Sequence, residues 1–138
     1  MIYKIPRKPT AGRVYVWRKL RKLGALLLHD AVWVLPANSR TEEQLQWLVS
    51  EIAEVGGEAI LWHSQSAINE QDDALVHQFQ QQTESAYRGI LLALKRKKPD
   101  LPGLSRTYRE VQSQDYFPSE LSKHTQEALL AAERRSQG

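Results

Sequence analysis

Cysteine is absent from this 138-residue chain, which excludes disulfide staples, thiolate metal sites and a cysteine nucleophile. Long apolar runs are missing too. The densest, ALLLHDAVWVLP over residues 25–36, is interrupted by His29 and Asp30 and falls well short of the ~20 residues that a membrane span needs. The opening MIYKIPRKPT carries charge with no apolar stretch of signal-peptide length behind it. The expectation is a soluble, unexported, cytoplasmic chain with no membrane partner. Glycine-rich phosphate loops, a G-x-S-x-G elbow and zinc-hydrolase signatures are also absent. The four histidines, His29, His63, His77 and His124, avoid the i, i+3 and i+4 spacings of helical metal ligands. A non-enzymatic protein with no metal and no cofactor is expected.

Carboxylates are missing from one region in particular. From Tyr3 to Gly24 there are eight Lys and Arg and no acid, and the first acid of the chain is Asp30. From Thr41 to His77 the pattern reverses, with eight Asp and Glu and no Lys or Arg. The formal net charge of +3 conceals this sorting. An acid-free basic stretch is either a solvated face or a site for an anion.

What is present reads as a compact α+β core followed by helices. Ile2 to Ile5 forms a short strand ended by Pro6, and Pro9 and Thr10 introduce a helix with Thr10 as N-cap and Gly24 as its stop. Val16, Leu20 and Leu23 make one apolar stripe along it. Residues 25–36 supply two strands around a tight turn at His29-Asp30-Ala31, although Ala31 lacks the glycine such turns prefer. Thr41 to Val55 reads as a second helix opened by a Thr41–Gln44 capping box, with Leu45, Leu48, Val49 and Ile52 inward and Gly56-Gly57 as its end. Glu58 to Ser64 is the last strand. This order, βαββαβ, is that of the ferredoxin-like split βαβ arrangement, an antiparallel sheet with both helices on one face.

The remainder is helical. A long helix runs from Glu70 to about Lys97, the break KRKKPDLPG covers residues 95–103, and two shorter helices follow. The expected organisation is a core over residues 1–66 and a helical extension over 67–138 that packs on it.

On the first helix, Arg13, Trp17 and Arg21 align along one side, with Arg18 and Lys22 continuing round the helix and the apolar stripe opposite. Arg7 and Lys8 lie just before it, beside Lys4. Arg forks hold phosphate oxygens bidentately and Lys adds point charge, so Arg7, Lys8, Arg13, Trp17, Arg18, Arg21 and Lys22 form a candidate DNA or anion site. A tetrahedral dianion such as chromate is a second candidate ligand, though no spacing selects it over phosphate. Trp33 and Trp62 share a sheet face in one register, where packing or dimerisation outweighs base stacking.

The combination of R-V-x-V-W-R-x-L-x-x-L-G (Arg13 to Gly24) with A-V-W-V-L-P (Ala31 to Pro36), followed by QLQWLVSEIAEVGGEAILW and the late TYREVQSQDYFPSELSKHTQEALLAAE, resembles the N-terminal domain of the ChrB chromate-resistance regulators. The resemblance implies a cytoplasmic regulator whose basic residues act on transcription of chromate-export genes, with DNA as partner and chromate as effector. Members that sense chromate carry a separate C-terminal domain, whereas this chain stops after Gly138. A stand-alone form working with a separate chromate-sensing partner is therefore expected, and a homodimer is compatible with it. Two alternatives stand beside the regulator. One is a protein-interaction module in which the acidic second helix meets the basic first helix of another copy. The other is a metal-dependent nuclease like the small ferredoxin-like CRISPR adaptation proteins; here KIPRKP occupies the place of their first-strand aspartate.

Overall fold

In the computed structural model, which describes residues 1–8 and 10–137, the chain runs β1 (Ile2–Lys4), α1 (Thr10–Leu23), β2 (Leu26–Leu28), β3 (Val32–Val34), α2 (Ser39–Glu54), β4 (Glu58–Ile60), α3 (Asn69–Leu94), α4 (Leu101–Ser113) and α5 (Glu120–Gln137). The class is α+β, as expected. The chain divides into two compact units, Met1–Ala67 and Ile68–Gly138.

The first unit is organised by α1. Val16, Leu20 and Leu23 are buried and join Met1, Ala25, Trp33, Leu45, Leu48 and Ile52 in one core. The helix starts at Thr10; Pro9, read as part of its start signal, lies outside the described residues. Its end is a Schellman motif. Gly24 adopts φ +82°, its N–H donates to the Arg21 carbonyl, and the Ala25 N–H donates to the Leu20 carbonyl, both at 3.0 Å. Ala25 and Leu20 are both buried, supplying the apolar contact that accompanies this cap.

α2 begins earlier than its sequence suggests. Asn38, not Thr41, is the N-cap. Asn38 Oδ1 accepts from the Thr41 N–H at 2.8 Å, and Thr41 Oγ1 accepts from the Asn38 N–H at 3.1 Å. Thr41 is thus the third residue of the helix, and its hydroxyl also donates to the Pro36 carbonyl at 2.6 Å. Asn38 is at least as good a cap as threonine and leaves Thr41 free to reciprocate. α2 ends as α1 does, with Gly56 at φ +83° and the Gly57 N–H donating to the Ile52 carbonyl at 2.9 Å. Gly57 is required here, because a Cβ would lie 2.5 Å from the Lys4 carbonyl oxygen.

The strands form two antiparallel ladders instead of one continuous sheet. β1 pairs with β4 (Ile2 opposite Ile60, Lys4 opposite Glu58), and β2 pairs with β3 (Leu27 opposite Trp33). Among the described residues one residue pair links them: the Met1 ammonium donates to the Trp33 carbonyl at 2.7 Å and the Trp33 N–H donates to the Met1 carbonyl at 2.9 Å. Burial holds the pKa of this ammonium below its ordinary value. Among the described residues every strand is three residues long, shorter than expected at β1 and β4. Trp33 is buried at 4% exposure while Trp62, beyond the end of β4, is 56% exposed. They do not share a face, and base stacking between them has no structural basis.

The turn between β2 and β3 holds His29 at φ +52° and Asp30 at φ +61°, with the Ala31 N–H donating to the Leu28 carbonyl at 3.1 Å. Two consecutive left-handed residues without glycine are unusual, but His and Asp tolerate that region better than most. The turn therefore forms around His29-Asp30, and Ala31 is its closing residue.

The second unit is a three-helix bundle around Tyr87, Ile90, Tyr108, Val111 and Leu129. Gln80 Nε2 donates to the Phe117 carbonyl and Ser122 Oγ to the Tyr87 hydroxyl, so α3 and α5 run in the same direction. Ser105 Oγ donates to Glu133 at 2.8 Å, which sets α4 antiparallel to both. α3 ends at Leu94, before the charge run, and Asp100 caps α4 by accepting from the Gly103 N–H. The buried Tyr87 hydroxyl donates to Asp115 Oδ2 at 2.7 Å. Burial is the main cause that pushes its pKa far above the usual phenol range; the Asp115 carboxylate adds to this and donation from Ser122 opposes it.

Two outcomes follow from these local structures. Replacing His29-Asp30 by Asn-Gly removes most of the left-handed penalty and is expected to stabilise the first unit by about 1 kcal/mol. Urea unfolding should show a higher midpoint at unchanged slope, and an unchanged or lower midpoint would refute the turn assignment. For Tyr87, a raised folded-state pKa means that its contribution is complete below the unfolded phenol's value near 10 and is lost as pH rises above it. Tyr87→Phe is expected to cost about 1–2 kcal/mol at pH 8. Melting curves should show the gap to wild type closing above about pH 10; a gap that stays constant would contradict the buried, hydrogen-bonded phenol.

Candidate functional site

Because α1 commits Val16, Leu20 and Leu23 to the core, Arg18 and Arg21, a third to half a turn away, are turned outward, while Trp17 lies about a quarter turn away and Arg13 sits at the first turn, above Leu20. Arg13, Trp17, Arg18 and Arg21 are all exposed, and together they form the outer face expected from the sequence. Trp17 is 50% exposed and does not pack into the core beside Leu20. The Arg21 guanidinium instead lies over its ring, 5.7 Å from the centroid, one helical turn on. This cation–π contact orients the Arg21 fork and leaves its N–H groups free to meet an acceptor.

Lys22 is exposed in the last turn, where with Arg21 it also complements the helix C-terminus. Arg7 and Lys8 are exposed in the bend between β1 and α1. Lys4 differs from the other basic residues. It stands directly opposite Glu58 in the β1–β4 ladder, so part of its charge is compensated across the strands. The opposite side of α1 is tied to α2: Tyr15 lies beside Glu51, whose hydrogen bond, with a smaller contribution from burial, holds the phenol's pKa above its ordinary value.

Several features of the second helix and the last strand were not singled out from the sequence. Trp47 on α2 is 62% exposed, with the exposed Glu43 and Glu54 on the same helix. A helical wheel places residue 47 about a third of a turn from the buried positions 45, 48 and 52, so the signal was present. Across the β1–β4 ladder Ile2 and Ile60 are paired and exposed, which leaves an apolar patch on the side away from the core.

His63 Nε2 lies 3.2 Å from Glu42 Oε1, on the surface. Among the described residues, no group of three or more His, Asp or Glu converges as a metal site would require. No helix among the described residues is long and apolar enough to cross a membrane.

Protein ChrB of Cupriavidus metallidurans is 26% identical over 132 residues, an alignment that covers 88% of this chain and 41% of that protein. The chain thus spans about two-fifths of the length of the curated relative it matches. No solved structure matches it. The sequence profile described as Protein ChrB, N-terminal, matches residues 13–96, from the first arginine of the outer face to just past the end of α3. That match covers more than half of the chain, and the chain belongs to the ChrB N-terminal family.

Proposed function

We propose that this chain is a DNA-binding transcription regulator linked to chromate resistance, which meets the phosphate backbone with the outer face of α1. The observation that carries the reading is the array Arg13, Trp17, Arg18 and Arg21: exposed, free of acids, and rigidly mounted on a helix whose other side is buried. Arg7 and Lys8 extend it at the N-terminal end. Family membership points to the chromate-resistance association. Chromate is the effector in this reading, sensed by a separate partner or by a further domain. The protein acts in the cytoplasm, without catalysis, and self-association enlarges an otherwise small footprint. We assign the first unit to the ferredoxin-like arrangement, supported by the strand neighbours β4, β1, β3 and β2 and by the Met1–Trp33 pair that joins the two ladders.

A second reading has its own observation. Trp47, exposed beside Glu43 and Glu54, gives α2 an acidic face with an apolar anchor, which is complementary to the α1 face of another copy. That arrangement makes a salt-sensitive oligomer with no affinity for DNA.

Fluorescence anisotropy with duplex DNA from the protein's own upstream region, over a salt series and with or without chromate, separates the two. The regulator reading expects affinity to fall by about a thousandfold or more between roughly 50 and 200 mM salt if six cations engage phosphate. Arg18→Glu with Arg21→Glu, its melting unchanged, is expected to lose about tenfold or more at fixed salt. A wild type that does not bind at low salt would exclude the regulator and favour the interaction module.

A further inference from the structure

At the end of the second unit where α3 and α5 both finish, six cations gather. Lys95 is the C-cap of α3, Arg96, Lys97 and Lys98 follow in the loop closed by Pro99, and Arg134 and Arg135 occupy the last turn of α5. Lys95 and Arg135 line one groove of about 360 Å³, floored by Leu91, Leu94, Ala128 and Ala131, which brings the two charge runs to the same place. All six are exposed, and among the described residues no carboxylate pairs with any of them.

The bland account is that these residues complement the helix dipoles. It is too small. Each helix C-terminus carries roughly half a negative charge, so one cation apiece more than meets that demand. The acids at this end are otherwise engaged, Asp100 in capping α4 and Glu133 in accepting from Ser105. Counting both acids at full charge and all three helix ends still leaves about +3 on this pole. Arg96, Lys97 and Lys98 lie beyond the last turn of α3, where the dipole needs nothing.

We infer that this pole is a second contact surface for the phosphate backbone of double-stranded DNA, separate in sequence from the α1 face; the inference rests on the DNA reading proposed above. Duplex DNA presents one negative charge per ~1.7 Å of its axis, a density that a run of four consecutive basic residues can follow without exact geometry. The loop from Arg96 to Pro99 has no Trp, Phe or Leu to bury in a lipid surface, which disfavours a membrane. The pole reads no bases. It adds affinity equally on any sequence and steepens the dependence on salt.

The test compares three proteins on two unrelated duplexes of equal length: wild type, the α1 variant Arg18→Glu/Arg21→Glu, and a pole variant Lys97→Gln/Lys98→Gln/Arg135→Gln. The pole variant should melt with wild type, since all three positions are exposed. Its plot of log affinity against log salt should be shallower by roughly 2–3, about 0.9 for each phosphate no longer neutralised, with equal weakening on both duplexes. Lys97→Arg/Lys98→Arg, which keeps the charge, should restore the wild-type slope. If the pole variant keeps the wild-type slope while the α1 variant loses affinity, the inference is wrong and the DNA reading stands. If wild type binds neither duplex at about 50 mM salt, both are wrong.

Discussion

Leu20 has no exposed surface, and its burial fixes the rotation of α1 about its own axis. With ~100° between successive residues, seating Val16, Leu20 and Leu23 inward turns Arg18, Arg21 and Lys22 outward, with Trp17 exposed on the flank between them and the core and Arg13 exposed at the first turn, above Leu20. The Schellman motif at Gly24 then stops the helix and turns Ala25 back onto Leu20, so the same contact ends α1 and launches β2. Tyr15 beside Glu51 adds a tie to α2 on one flank. The basic face is therefore a rigid consequence of core packing, which is the property a surface needs if it is to match a row of phosphates.

The helices were legible in the sequence because 3.6-residue periodicity and glycine stops are strong local signals. Gly24 and the Gly56-Gly57 pair mark the ends of α1 and α2 where they were expected. The start of α2 was misplaced by two residues, because Asn38 and Thr41 are both good caps and only the tertiary contact of Thr41 with Pro36 shows which one lies inside the helix. The turn was located correctly, and the missing glycine at Ala31 proves immaterial, because His29 and Asp30 are the left-handed pair and Ala31 only closes the turn. Strand continuity was not legible at all. Three-residue strands carry too little alternation to set a register, and the Met1–Trp33 link depends on pairing across more than thirty residues of chain.

The site was legible in part. Charge sorting along the chain marked the α1 face, and the helical wheel separated its cations from its core. The same sorting within the second unit looked like a simple break, since nothing local joins Lys95–Lys98 to Arg134 and Arg135; only the bundle, with α3 and α5 running together, does so. Exposed Trp47 and the Ile2–Ile60 pair give the first unit apolar surface beside its charge. Self-association through the Ile2–Ile60 pair does not use the acid-free array on α1, whereas self-association through the acidic face of α2 engages it.

The most direct measurement is an NMR titration of the intact chain with a short duplex, following backbone amides, arginine side-chain signals and the four indole N–H resonances. The account predicts that Trp17 and the side chains of Arg13, Arg18 and Arg21 shift progressively with added DNA, while buried Trp33 and exposed Trp47 stay in place. Shifts confined to Trp47 and the surrounding surface of α2, or no change at low salt, would contradict it.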